Sequence, residues 1–231
     1  MQNILQDTPY TPLSGRLFAS TKFISEDIVG KKILDIGCGY GWFEIFLLSK
    51  SPQEVVGMEC STKDLNTISE HINDNRLTLK VGSAILIPYQ DNTFDIVTSW
   101  EVIEHIPKNS ESKMLTEISR VLKPGGSAYL STPKKSLFSN LLDPAWILMG
   151  HRHYQYQDFK KFSEAAKLDI VNFEVRGGWF SLLFALNMYF SKWVLKRGPL
   201  FNKFFQAMDH REYLDKDGFA TIFIQLKKPS L

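Results

Sequence analysis

The sequence predicts an α/β protein whose mainly parallel sheet is covered by helices on both faces. Three observations carry that expectation. Apolar runs of strand length alternate with helix-period segments from Lys31 to Thr132. The first run, Ile33-Leu34-Asp35-Ile36, ends in Gly37-Cys38-Gly39-Tyr40-Gly41 and leads into the helical spacing of Trp42-Phe43-Glu44-Ile45-Phe46-Leu47-Leu48. That succession of buried strand, tight glycine turn and helix start is how α/β proteins seat a nucleotide. The next run, Val55-Val56-Gly57-Met58, closes on an acid, Glu59, which can accept hydrogen bonds from both hydroxyls of a ribose.

Each element follows in order. Residues 1–30 precede the first core strand and form an N-terminal cap. Within it Arg16–Val29, with Leu17, Phe18, Phe23, Ile24 and Ile28, predicts a helix across the mouth of the site. Strands are expected at Lys31–Ile36, Glu54–Glu59, Arg76–Val81, Thr93–Ser99 and Ser127–Thr132. Helices fall between them at Tyr40–Lys50, Thr62–Asn73 and Ser110–Leu122. Gln155–Lys167 reads as a further helix, Asp169–Val175 as a sixth strand and Phe219–Lys227 as a last strand. No internal repeat or low-complexity segment interrupts the pattern, and 1–231 is expected to be a single domain.

The connection at 177–217 is long for its place and is read as an apolar helical insertion. Its stretch 179–195 is 17 residues long and almost wholly apolar. On a helix Ser181, Asn187, Ser191 and Lys192 gather toward one side, shared with Phe184, Met188 and Leu195. As a membrane span it is short, and it would have to leave the middle of a folded domain. One reading is a helix buried on the sheet edge, or a homodimer contact. The other is an apolar lid over a greasy substrate, or an interfacial helix on lipid with Lys192, Lys196, Arg197 and Lys203 beside the headgroups.

Composition bounds the function. At 231 residues the chain suits one large domain with a substantial core. A hydrophobic content of 44% with 23% charged residues is ordinary for a globular protein. The net charge of +2 gives no general electrostatic case for nucleic acid as a partner. Cys38 and Cys60 both fall where a cofactor is expected, and they read as small packing residues rather than a disulfide. With no basic flank and apolar run at the N-terminus, the expected location is cytoplasmic.

The glycine spacing narrows the ligand. A dinucleotide fingerprint runs Gly-x-Gly-x-x-Gly and brings a pyrophosphate onto a helix N-terminus. Here it runs Gly-x-Gly-x-Gly, with Asp35 two residues before the first glycine. A carboxylate there repels a pyrophosphate and suits a cationic or amine-bearing ligand, which argues against a nicotinamide oxidoreductase. The pattern resembles motif I of the class I S-adenosylmethionine (SAM) methyltransferases. Asn92–Ile106 resembles that family's fourth strand and following loop, and Arg120–Pro133 its "R-V-L-K-P-G-G" turn and fifth strand.

The resemblance implies a Rossmann-like, seven-stranded, mostly parallel sheet with helices on both faces, its last strand antiparallel between the fifth and sixth. It implies SAM as cofactor, held by Asp35, Gly37, Cys38, Gly39, Glu59, Cys60, Ser83, Ala84 and Trp100, with Asp35 toward the methionine end. One position departs from the pattern. Where the family usually has an aspartate that accepts from the adenine amine, this chain has Ser83. A neutral hydroxyl contributes roughly 1 kcal/mol where a charged acceptor contributes about 1.5–3, so somewhat weaker cofactor binding is expected.

Catalytic candidates lie just after the fourth strand, in Glu101-Val102-Ile103-Glu104-His105. In one reading His105 is a general base oriented by Glu101. In another, Glu101, Glu104 and His105 share one side of a helical turn and bind a divalent metal that lowers the pKa of a substrate hydroxyl. In a third the group only shapes the loop. Glu-x-x-Glu-His here resembles the O-methyltransferases of ubiquinone biosynthesis and the enzymes that 2′-O-methylate small RNAs. The latter resemblance implies His153 as a further metal ligand, with His151 as the neighbouring alternative. His71, on a surface helix, and His210, in a mixed-charge stretch read as exposed loop, are assigned no function. The expected activity is methyl transfer from SAM to a small apolar or lipid-like molecule, at oxygen. RNA 2′-O-methylation and a catalytically silent SAM-binding protein stand as alternatives.

Overall fold

The computed structural model describes residue 9, residues 12–142, residue 146 and residues 150–230. Of the expected cap, residues 1–8, 10 and 11 therefore lie outside the described residues. Seven strands form one sheet: β1 (Lys32–Ile36), β2 (Glu54–Glu59), β3 (Leu77–Val81), β4 (Phe94–Trp100), β5 (Leu122–Pro133), β6 (Asp169–Arg176) and β7 (Thr221–Lys227). Their order is β3-β2-β1-β4-β5-β7-β6. Pairings from β3 through β5 are parallel, and β7 runs antiparallel to both β5 and β6. The order reverses at β1, which pairs with β2 on one side and β4 on the other, so a crevice opens beyond the carboxyl ends of β1 and β4.

Both faces of the sheet are buried, which is why the strand sequences read as apolar runs. On one face Leu34, Val56, Val97, Ala128 and Ile224 pack against α4 (Glu111–Val121) and α6 (Tyr156–Ala166). On the other, Ile33, Val55, Ile96, Tyr129 and Phe223 meet α1 (Gly15–Phe23) and α2 (Trp42–Leu48). Neighbouring residues of one strand serve opposite layers, and each fully buried large side chain contributes roughly 1.5–3 kcal/mol. α3 (Thr62–His71) packs Leu65 and Ile68 beside Cys38, with the Ser61 hydroxyl capping its first turn.

The structure corrects several boundaries. The expected helix Arg16–Val29 ends at Phe23, and Ile24 is extended. Beyond it the chain turns to deliver β1, with the Asp27 carboxylate accepting from Val29 N at 3.0 Å and Gly30 at φ +68°. β5 begins at Leu122 rather than Ser127, because Lys123–Gly126 enter the strand as a bulge between the pairs Phe94–Leu122 and Ile96–Ser127. A short helix, α5 (Leu137–Leu142), was not anticipated.

The insertion forms α7 (Trp179–Phe190), continued by a π-helical turn at Ser191–Leu195, and then α8 (Asn202–Leu214). His210 therefore lies on α8, not in an exposed loop, and its Nδ1 accepts from Gly15 N at 3.0 Å. That bond supplies an acceptor to the N-terminus of α1 and seats α1 on α8. No described helix is long and apolar enough to cross a membrane.

Candidate active site

The glycine turn is built for close approach. Gly37 sits at φ +73°, and a Cβ there would run into the Val102 side chain. Its N–H donates to Met58 O at 2.7 Å, tying the turn to β2. Gly41, at φ +84°, is the N-cap of α2. Gly39 differs: a Cβ there would meet no heavy atom within 4 Å, so the space above it is open. Its N–H donates to Glu59 Oε2 at 3.3 Å, while Glu59 Oε1 accepts from Cys60 N at 2.7 Å. The carboxylate is thus held at the crevice rim, and its remaining lone pairs suit a ribose diol.

Asp35 lies beneath this rim, 2% exposed, and its Oδ1 accepts from Thr98 Oγ1 at 2.6 Å. Glu44 on α2 is fully buried beside it, and no N–H or O–H group reaches either of its oxygens. Two carboxylates can bond to each other only by sharing a proton. Burial above all raises Asp35 to about 7, against the hydrogen bonds from Thr98 and Glu44, with the charge of Glu59 adding to the rise. Glu44 is raised as well, by burial and then by the charge of Asp35. Burial and the neighbouring carboxylate thus both favour the protonated form of this pair. Glu44 was missed as a site residue, although an acid inside the apolar run Trp42–Leu48 was its signal.

The other cofactor candidates divide. Ser83 is exposed on the loop after β3, where its backbone bridges Leu86, and Ala84 beside it is buried. Cys38 is buried, whereas Cys60 is exposed and so is no packing residue; both thiols are free. Trp100 is 7% exposed and packs in the core, its ring 5.1 Å from Phe43 and 6.3 Å from Phe223. Strand alternation turns it into the layer under the crevice rather than into the crevice itself.

The loop after β4 overturns the expected roles of its acids. Glu101 takes φ +58°, so the helical turn needed to align Glu101, Glu104 and His105 does not form. Its carboxylate pairs with Arg16 Nη1 at 2.6 Å and accepts from Ser131 Oγ at 2.8 Å, which leaves it no part in orienting His105. Glu104 is buried and accepts from Thr132 Oγ1 at 2.9 Å; burial pushes it up to about 7. Its Oε1 lies 4.0 Å from His105 Nε2.

His105 meets the His151 ring edge-on at a centroid distance of 4.2 Å. Burial first, then the charges of His151, Arg152 and Arg16, lower it to about 4, so it is neutral at pH 7. His153 Nδ1 is 2.7 Å from Asn140 Oδ1. Among the described residues no three His, Cys, Asp or Glu side chains gather as a metal-ligand set. The proposed ligands Glu101, Glu104, His105 and His153 therefore do not fit a metal, and no step is derived through one. Sequence reasoning also missed Arg152, which donates to Ile103 O and Ile106 O and pairs with Glu111 at 3.0 Å, pinning the loop.

Comparison with known proteins agrees with this geometry. Residues 33–126 match the family model for a methyltransferase domain. Over 118 residues, 50% of this chain, it is 32% identical to the ubiquinone biosynthesis O-methyltransferase of Methylococcus capsulatus, covering 48% of that protein. It is 31% identical over 151 residues, 58% of this chain, to the demethylmenaquinone methyltransferase of Lactiplantibacillus plantarum, covering 62% of it. The matched segments thus span less than two thirds of these relatives. Among solved structures, phosphoethanolamine N-methyltransferase 2 of Haemonchus contortus, in complex with SAM, has a TM-score of 0.68 at 21% identity, over 93% of this chain and 52% of that one. A sheet that reverses at β1 and β4, with a glycine turn facing an acid at the reversal, is the part the matched segment contributes: the chain carries a class I S-adenosylmethionine-dependent methyltransferase domain.

Proposed function

We propose that this protein transfers the SAM methyl group to an oxygen of a small apolar acceptor, quinone-like or lipid-like. The observation that carries the reading is the open space over Gly39, faced by a Glu59 carboxylate that is already fixed by two backbone N–H groups. When bound, SAM supplies an electrophilic methyl on a sulfonium. The protein's part is to hold both reactants, exclude water and take the proton from the acceptor hydroxyl. Glu59 accepts from the ribose hydroxyls. Asp35 would face the ammonium end, where a positive charge would favour its ionised form.

His105 is the base. It is neutral at pH 7 and only half-buried, so its imidazole is available to receive a proton, as a weak base because burial and the neighbouring cations lower it to about 4. General-base assistance of this kind contributes about 10²–10⁴-fold. Support for an apolar acceptor comes from the similarity to a ubiquinone biosynthesis O-methyltransferase and a demethylmenaquinone methyltransferase. The RNA reading loses its motive, because it rested on four ligands that do not converge.

The test incubates the full chain with methyl-labelled SAM and a panel of catechols, hydroquinones and lipid extract. Label is expected in the organic phase, with His105→Ala lowering kcat by about 10²-fold at unchanged affinity for S-adenosylhomocysteine. A chain that binds S-adenosylhomocysteine by calorimetry yet labels no acceptor is a silent binder, and the proposal fails.

A further inference from the structure

The insertion helix is inside out. Trp179, Leu183, Leu186, Phe190 and Trp193 recur at three- and four-residue intervals along α7 and its π-helical turn, and each is 37–47% exposed. They form one outward stripe. The polar residues face inward instead. Ser181 and Ser191 are buried, and the Ser181 N–H and hydroxyl both donate to Glu212 Oε2. Asn187 Nδ2 donates to Leu200 O at 2.7 Å, and Ser191 Oγ donates to Asn187 Oδ1 at 3.2 Å. A surface helix of a globular protein shows the reverse pattern, and a contiguous exposed apolar stripe of this kind marks an interaction surface.

Charge decides what covers it. No Asp or Glu occurs from residue 175 to residue 208, and Lys196, Arg197 and Lys203 in that stretch are exposed, with Lys192 partly so. The rest of the chain is net negative, so its positive charge is concentrated beside the apolar stripe. A second copy of this chain is a poor occupant, because a two-fold contact would set these cations against their own equivalents. An anionic bilayer answers both features, with acyl chains for the stripe and headgroups for the cations. No described helix is long and apolar enough to span, so the element lies on the surface.

We infer that α7 and its π-helical turn dock this protein onto an anionic lipid membrane, with Leu186, Phe190 and Trp193 entering the acyl boundary and Lys196, Arg197 and Lys203 meeting the headgroups. The inference does not rest on methyl transfer, and its test reads lipid binding alone. Flotation of the full chain is measured with vesicles of phosphatidylcholine, and of phosphatidylcholine mixed with phosphatidylglycerol. Wild type is expected to float with the mixed vesicles at low salt, and much less with phosphatidylcholine alone or at high salt.

A Leu186→Asp, Phe190→Asp variant should lose flotation while keeping its circular dichroism and its affinity for S-adenosylhomocysteine. A Lys196→Gln, Arg197→Gln, Lys203→Gln variant should bind the mixed vesicles about a hundredfold more weakly. Absence of flotation in a wild type that binds S-adenosylhomocysteine overturns the inference. So does flotation unaffected by the paired Asp variant, or a solution dimer that this variant converts to monomer.

Discussion

The carboxyl end of the sheet and the insertion at 177–214 treat polar and apolar residues in opposite ways. Around β1 and β4, strands bury apolar side chains on both faces, and the acids Asp35, Glu44 and Glu104 are enclosed. In the insertion, Ser181 and Ser191 are enclosed while Trp, Phe and Leu face out. Burial costs a polar group little when it is fully hydrogen-bonded, and Ser181, Asn187 and Ser191 are. The difference teaches that burying acids and exposing apolar side chains both go against stability, and that the fold does each in a separate region.

The glycines break the comparison hardest. Gly37→Val places a β-branched side chain at positive φ against Val102 and is expected to cost about 3 kcal/mol and abolish cofactor binding, read by urea melts and calorimetry. Gly39→Val fills only open space. It should cost about 1–2 kcal/mol for its backbone conformation, yet weaken S-adenosylhomocysteine by more than tenfold. Unchanged S-adenosylhomocysteine affinity in Gly39→Val would show that the Gly39 space is not a ligand site.

Glu212 is the corresponding probe in the insertion. From α8 its carboxylate accepts the N–H groups of Gly178, Phe180 and Ser181 at 2.9–3.0 Å, capping α7 across the helix pair. Glu212→Ala orphans these donors and should cost about 2–3 kcal/mol, seen as a lower urea midpoint.

The acidic pocket should show in the pH dependence of the cofactor-free protein. Asp35 and Glu104 are both raised to about 7, far above the ordinary carboxyl range. The folded state therefore binds protons that the unfolded chain has already lost above pH ~4, and stability falls as pH rises from about 4 through 7. Glu44→Gln, which removes one of the paired acids, should flatten that fall in thermal melts. S-adenosylhomocysteine should flatten it too, by placing an ammonium near Asp35. The smallest effect belongs to the outward stripe: Phe190→Ser should change stability by less than ~0.5 kcal/mol, whereas Ser191→Leu, at a buried hydrogen-bonded position, should cost about 1–3 kcal/mol.

Much of the site was legible along the chain because it is local. The glycine turn and Glu59 are read from spacing, since a turn's backbone needs and a strand's end are properties of neighbouring residues. Glu101 and Trp100 were misread for a related reason. Their spacing was taken as helical or crevice-facing, while the left-handed backbone at Glu101 and the pleat at Trp100 sent the side chains elsewhere. Arg16, Arg152, Glu212 and His210 were silent in the sequence, because each acts on a partner far away along the chain.

By itself the sequence determined the alternation of strands and helices, the glycine turn after β1 and the acid that faces it, because hydrophobic period and glycine geometry are short-range. Only the tertiary structure decided which acids are buried together, why the four candidate ligands stay apart, and that the insertion turns its apolar face to the outside. Those outcomes depend on what each side chain meets across the fold, where burial and hydrogen bonding are settled by distance in space rather than along the chain.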